Sequence, residues 1–416
     1  MRTLVFWVHL PLGILCGAVI AVMAVTGALL SFAPGIQRAA DGPVRRVAPS
    51  PEKLPAGTLV DLAQAAVPGA RATSITIGSA PDASAVVAFA RQGRMFVDPH
   101  TGRILGAGAE GVRRAIEAVT GVHRWLGASE ERRPAGRAVT GACNAGFLAL
   151  ALTGLFLWWP RRWRRAAVRP AALFQPGLSG RARDYNWHNV LGFWSSLVLV
   201  VVAGTGVVMS YRWANDLVYR LAGTAPPAAE DARRVPRQRA SSDPGSRRHA
   251  PTRWAPTLDP QWERAARQTA AWRSITLRLP SGPGDSATFS IEEGTSANPF
   301  ARSALSLSPD GSVASWVPYE NASAGRRIRS WIRGAHTGEA LGATGQTLAA
   351  AASLAAAVLV WTGFSLALRR FARWIRNRRS GSSMREAEPL EPGEVGFLSP
   401  ARAAQGRRPA MRRIAS

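Results

Sequence analysis

NWHNVLGFWSSLVLVVVAGTGVVMSY, residues 186–211, is a helix-length apolar run with a histidine near its start. An earlier run matches it position by position. His9, Gly13, Thr26, Gly27, Ser31 and Phe32 stand at the same offsets as His188, Gly192, Thr205, Gly206, Ser210 and Tyr211. Identity at five positions and an aromatic exchange at the sixth, in segments of otherwise free apolar composition, point to an internal duplication.

Outward from this pair, four windows lack Asp, Glu, Lys and Arg: residues 4–37, 138–160, 185–211 and 340–368. A bilayer core of about 30 Å takes about 20 apolar residues as helix, and each window is long enough. Four transmembrane helices are expected, at 3–34, 138–160, 185–212 and 340–368. The first is retained, because its apolar stretch is too long for a signal-peptide core and no clean cleavage site closes it.

The net charge of +26 over 416 residues invites a nucleic-acid reading, which the placement of the arginines argues against. Arg161, Arg162, Arg164, Arg165 and Arg169 follow the second window; Arg369, Arg370, Arg373, Arg376, Arg378 and Arg379 follow the fourth. Short Arg-rich loops mark the cytoplasmic side of a membrane protein. Both termini are therefore expected in the cytoplasm of a bacterium, with residues 38–137 and 212–339 in the periplasm. The chain has two cysteines, Cys16 and Cys143, each within a window. They cannot build a disulfide framework or an iron–sulfur ligand set, and no C-x-x-C-H provides for covalent haem. No G-x-G-x-x-G follows a strand and no P-loop is present, so no nucleotide site is evident.

The first long connection has module-like patterning over 38–111. A Pro-rich connector precedes a helical stretch at 59–66, strand patterns follow at 74–77, 85–89 and 94–97, and the turn DPHTGR (98–103) feeds a short strand at 104–106. A surface helical segment (112–134) and, beyond the second helix, a cytoplasmic basic loop (161–184) are expected. The second connection repeats the pattern more loosely. A disordered basic linker (222–256) leads into a module at 257–325, with a helix at 261–271, strands at 275–279, 287–291 and 304–307, and the turn SPDGS (308–312). Each module precedes a Gly-x-His: Gly121-Val122-His123 and Gly334-Ala335-His336. The tail beyond 380 reads as disordered cytoplasmic chain.

VDPHTGRILG (97–106) resembles the PepSY domain. With HRWLG (123–127), LTGLFLWWPRRWR (152–164), DYNWHNVLGFW (184–194) and HTG (336–338), the chain up to about residue 380 is similar to the PepSY-associated transmembrane family. That family includes iron-regulated membrane proteins and siderophore-iron reductases of the bacterial inner membrane. The resemblance implies an α-helical integral membrane protein carrying two small α+β PepSY-like extracytoplasmic modules.

Six histidines are present. His100, in a turn, and His249, in the linker, are assigned to solvent. The other four lie at or near the ends of the apolar windows, where ionisable residues are rare and usually functional. His9 and His188 are expected at matching depth near the cytoplasmic face, and His123 and His336 near the opposite face. Two pairs on two sides suit two bis-histidine sites for a transition metal, of which haem iron is a common case in helical bundles. Gly13, Gly192, Gly127 and Gly342 would leave room for a flat macrocycle, Trp7, Trp125, Trp187 and Trp194 would wall it, and Arg124 and Arg333 would offset propionate charge. Glu130, Glu131 and Pro134 separate His123 from the second helix, which puts it on a surface-lying segment. The TG pairs (Thr26-Gly27, Thr153-Gly154, Thr205-Gly206 and Thr362-Gly363) read as close helix contacts.

The resemblance implies two b-type haems, one on His9 and His188, the other on His123 and His336. It further implies electron entry from a quinol or a cytoplasmic flavoprotein and reduction of a ferric siderophore on the periplasmic side. A different class of reading makes the chain a non-enzymatic PepSY-type regulator that binds a peptide or protease; it leaves the four histidines unexplained. Transport of iron or haem is a third, weakened by the lack of an acidic residue in the four windows. No G-x-S-x-G or histidine-based triad marks a hydrolase.

Overall fold

Inside a bilayer an apolar run can satisfy its own backbone only as helix or closed barrel, and here all four runs are helical. The computed structural model describes residues 1–160, 165–227 and 253–383, apart from 270, 281, 283, 284 and 295–297. Arg161, Arg162 and Arg164 of the basic loop, most of the linker with His249, and the tail beyond 383 lie outside the described residues.

The first candidate span, α1 (Arg2–Ser31), continues through Phe32 into α2 (Ala33–Ala40) and α3 (Gly42–Arg45). After the first half of a sheet domain come α5 (Glu110–Trp125) and the second span, α6 (Arg133–Trp158). A short α7 (Arg165–Ala172) leads to the third span, α8 (Gly180–Ser210), and α9 (Arg212–Leu221). The second half of the sheet domain is followed by α11 (Ala324–Thr337) and α12 (Gly342–Ser383), which carries the fourth span. The compact unit Met1–Leu368 ends within α12; beyond it Phe371 stacks on Trp374.

The four spans pack together. Ala24 of α1, Leu199 of α8 and Ala352 and Ala356 of α12 are buried together, with Phe147 of α6 packed against them. Small residues allow this closeness: a Cβ on Gly17 would lie 2.6 Å from Phe364 Cε2, and one on Gly146 3.1 Å from Cys16 Sγ. The duplication has a physical form, since α5 packs along α1 in the first half as α11 packs along α8 in the second.

The two modules of the sequence reading share a single sheet. Strands β1 (Ala72–Gly78), β2 (Ala85–Phe89), β3 (Arg94–Val97) and β4 (Ile104–Gly106) belong to the first half; β5 (Trp272–Arg278), β6 (Ala287–Glu293), β7 (Arg302–Leu307) and β8 (Val313–Val317) to the second. The order is β4-β3-β2-β1-β5-β6-β7-β8, every neighbouring pair antiparallel. The seam runs from Ser74↔Arg278 to Gly78↔Ser274, and the Thr76 and Thr276 hydroxyls meet across it at 2.9 Å. Joining inner edges removes two exposed edges at once.

Alternating residues face one buried side, as in β6, where Ala287, Phe289 and Ile291 are buried. That side is covered by α4 (Ala56–Ala65) and α10 (Ala255–Arg267), which contribute Leu59, Val60 and Leu258. The two helices hold each other's starts. Asp61 of α4 accepts from the Trp254 and Ala255 N–H groups, and Asp259 of α10 accepts from the Gly57 N–H at 2.6 Å. A Cβ on Gly57 would lie 2.5 Å from Ala255 Cα, so only glycine permits this crossing.

The turn at 98–103 corrects one expectation. His100 is not left to solvent: its Nε2 faces the Pro81 carbonyl at 2.8 Å and its Nδ1 the Glu52 carbonyl. The ring thus pins the connector to the β1–β2 loop.

Candidate functional site

Each of the four membrane-end histidines meets one TG pair. His9 Nδ1 lies 2.9 Å from Thr153 Oγ1, His123 Nδ1 2.9 Å from Thr26 Oγ1, His188 Nδ1 2.9 Å from Thr362 Oγ1, and His336 Nδ1 3.2 Å from Thr205 Oγ1. The pattern is the same in both halves: the span histidine reaches the second span, and the histidine of the packed helix reaches the first.

The hydrogen-bond inventory decides the tautomer. A threonine hydroxyl has one proton. In all four cases it faces the carbonyl four residues earlier in its own helix: Thr26 to Val22 at 2.7 Å, Thr153 to Ala149 at 2.7 Å, Thr205 to Val201 at 2.6 Å and Thr362 to Val358 at 2.9 Å. With the proton spent there, the oxygen accepts, so Nδ1 carries the imidazole hydrogen. His336 gives the same answer independently, because its Nδ1 also lies 2.9 Å from the Val202 carbonyl, which can only accept. Nε2 is then left with a lone pair, which is the state a metal requires.

The glycine of each TG pair makes room for the ring. A Cβ would lie 3.2 Å from His123 Cε1 at Gly27, 3.4 Å from His9 Cε1 at Gly154, 3.2 Å from His336 Cε1 at Gly206 and 3.5 Å from His188 Cε1 at Gly363. The TG pairs are therefore imidazole seats, where the sequence suggested only helix contacts. The glycines singled out beforehand have other surroundings. Gly13 and Gly192 meet ordinary side-chain contacts, Gly127 occupies a turn at φ +73, and Gly342 opens α12 at φ +60.

The seats bring the histidines together in pairs. His123 and His336 have ring centres 6.4 Å apart at an interplanar angle of 60°. Two in-line metal–imidazole bonds of about 2 Å each leave ring centres about 6 Å apart, so this separation admits one metal ion. His9 and His188 lie near enough for charge on one to be felt by the other. Along α1 the seventeen-residue step from His9 to Thr26 corresponds to about 25 Å of helix, so the pairs occupy opposite ends of the bundle. Among the described residues no cluster of three or more His, Cys, Asp or Glu side chains is placed to hold a metal.

His123 sits at the end of α5 yet reaches inward to α1. Arg124 and Arg333 lie near enough for their charges to interact, and Arg137 joins them. Sequence reading missed Arg137, whose only signal was its place just before the second apolar window. Trp7, Trp187 and Trp194 are exposed on the bundle surface, and Trp125 lies under the guanidinium groups of Arg124 and Arg133. They are placed as an interfacial belt more than as walls.

The DYNWHN motif resolves into three tasks. Asp184 accepts from the Ser365 hydroxyl at 2.6 Å, which ties α8 to α12 in the layer next to His188 and Thr362. Asn186 donates to the Pro170 and Leu173 carbonyls and accepts from the Gln175 N–H, folding the connection onto α8. His188 takes its seat on Thr362. Asp184 lies one residue outside the charge-free window but is 2% exposed within the helix.

A family model described as the PepSY-associated TM region matches residues 6–370, a stretch that contains all four seated histidines. A comparison with curated proteins finds no match.

Proposed function

Because the chain belongs to the PepSY-associated transmembrane family, we propose that this multi-pass membrane protein carries electrons across the bacterial inner membrane to a ferric siderophore in the periplasm. The observation that carries the reading is the seating of four histidines, in two pairs, each with Nδ1 on a threonine hydroxyl, His336 sharing its Nδ1–H with the Val202 carbonyl, and each with the Nε2 lone pair left for a metal. When bound, a b-type haem at each pair supplies a one-electron iron couple.

The chain's own residues do the rest. His9 and His188 hold one group near the cytoplasmic face, and His123 and His336 hold the other near the periplasmic face. Thr153, Thr362, Thr26 and Thr205 keep the rings oriented and more basic at Nε2. Arg124, Arg137 and Arg333 place positive charge beside the outer pair, where propionate groups need it. Ala24, Leu199, Ala352 and Ala356 give the spans an apolar centre between the pairs. Electrons enter from a quinol or a cytoplasmic flavoprotein. Ferrous iron binds hard oxygen donors less tightly than ferric iron, so reduction releases it from the siderophore.

The test is optical. Purified protein should show split α and Soret bands on reduction with dithionite, and pyridine extraction should return two haems per chain. A protein without a haem spectrum when expressed in haem-replete cells refutes the proposal.

A further inference from the structure

Where α1 gives way to α2 and α3, at the level at which the first span leaves the bilayer core, there is a cleft of about 500 Å³ lined by Arg38, Arg45 and Arg46. Asp82 is the carboxylate in its lining. It lies 3.8 Å from Arg46, in a pair whose arginine is 85% exposed, an arrangement that contributes little. Arg38 and Arg45 remain as two positive charges in one concavity. Arg38 is held by its Nε–H on the Pro34 carbonyl at 3.2 Å, leaving the outer guanidinium nitrogens as donors.

An apolar track leads into the same cleft. Val25, Leu29, Phe32 and Ile36 are 46, 57, 39 and 48% exposed. Their spacing of four, three and four residues places them on one helical face. The next position on that face, Ala39, lines the cleft. An apolar stripe ending in paired guanidinium groups at a membrane interface has the layout of a phospholipid, acyl chains below and phosphate above.

We propose that this cleft is a binding site for an anionic phospholipid, its phosphate between Arg38 and Arg45 and one acyl chain along Val25, Leu29, Phe32 and Ile36. The headgroup also meets Asp82 and Ala83 of the β1–β2 loop, so a bound lipid joins the sheet domain to the bilayer surface. Nothing in this site depends on the histidine pairs.

The experiment is native mass spectrometry of the full chain, delipidated and titrated with phosphatidylglycerol. Wild type should hold one tightly bound copy. Arg38→Ala/Arg45→Ala should weaken it about thirtyfold, taking about 1 kcal/mol for each arginine, while Arg264→Ala on the sheet domain should leave it unchanged. Arg38→Gln alone should weaken it by a smaller factor, which keeps the test open if the double variant misfolds. Inorganic phosphate at millimolar concentration should not displace the lipid. Equal binding in the double variant overturns the proposal. So does full displacement by phosphate, which means a free-anion site, or equal retention of phosphatidylcholine, which means no selection by charge.

Discussion

Thr153→Val is the sharpest probe of the seated histidines. Valine keeps the shape of threonine but removes the oxygen that accepts the His9 Nδ1–H at 2.9 Å. A donor left without its acceptor in an apolar bundle costs about 1–3 kcal/mol. At 1.4 kcal/mol per decade that is about 5- to 140-fold in affinity, a span that contains the about 10- to 100-fold cost of losing a hydrogen-bond partner behind a metal-bound imidazole. The change should act on one site only, because Thr26, which seats His123, is about 25 Å away along α1. Haem transfer from the reduced protein to apomyoglobin should therefore become biphasic, one half of the haem leaving about 5- to 140-fold faster and the other at the wild-type rate. Nitrogen NMR of the histidine-labelled apoprotein gives a readout without haem: wild type should report Nδ1–H at His9, and the variant a tautomer mixture. Unchanged haem release together with an unchanged tautomer would mean that the threonine does not set the state of the ring.

Other outcomes follow from the same structure. His188→Ala should leave one haem per chain by pyridine extraction, and adding His336→Ala should leave none; loss of both on the first change means the sites are not separate. Gly206→Ala puts a Cβ 2.9 Å from Asn144 Nδ2 and 3.2 Å from His336 Cε1, so it should change the outer-haem spectrum more than Gly363→Ala, where the Cβ meets His188 Cε1 at 3.5 Å, changes the inner-haem spectrum. Asp61→Ala removes the carboxylate that accepts from the Trp254 and Ala255 N–H groups. It should destabilise the sheet domain by about 1 kcal/mol, seen as a lower melting temperature with an unchanged haem spectrum. Burial pushes the Asp98 carboxyl up, but N–H groups of His100 and Thr101 and the Thr101 hydroxyl together bring it below its usual value. Its folded form is the more acidic, so its contribution is present above the unfolded pKa and is lost as pH falls through the folded one. Asp98→Asn should flatten that acid limb of a stability–pH curve and leave the neutral region parallel to wild type.

The expectations read best where the signal was local. Apolar length without charge is enough to mark a membrane helix, because the bilayer imposes the same demand on every such segment. The strand patterns of 74–77, 85–89 and 94–97 were equally legible from their alternation and their turns. The TG pairs were visible as repeats but misread, since a helix contact and an imidazole seat ask for the same small residue. His100 looked like an exposed turn residue because both its partners are backbone carbonyls, which leave no trace in residue types. Trp7, Trp187 and Trp194 stand close to the histidines in sequence but are exposed on the bundle surface, and position along a helix does not specify which way a side chain faces.

Taken alone, the amino-acid order determined four spans, their duplication and the histidines that belong to a matched set, because hydropathy and spacing are properties of single segments. Tertiary structure alone decided the rest: that His9 finds Thr153 and His188 finds Thr362, that β1 meets β5 to make one sheet of two halves, and that Arg137 joins Arg124 and Arg333. Each of these pairings joins residues far apart in the chain. Which distant groups meet depends on how packed helices and strand edges come together, and no local pattern encodes that choice.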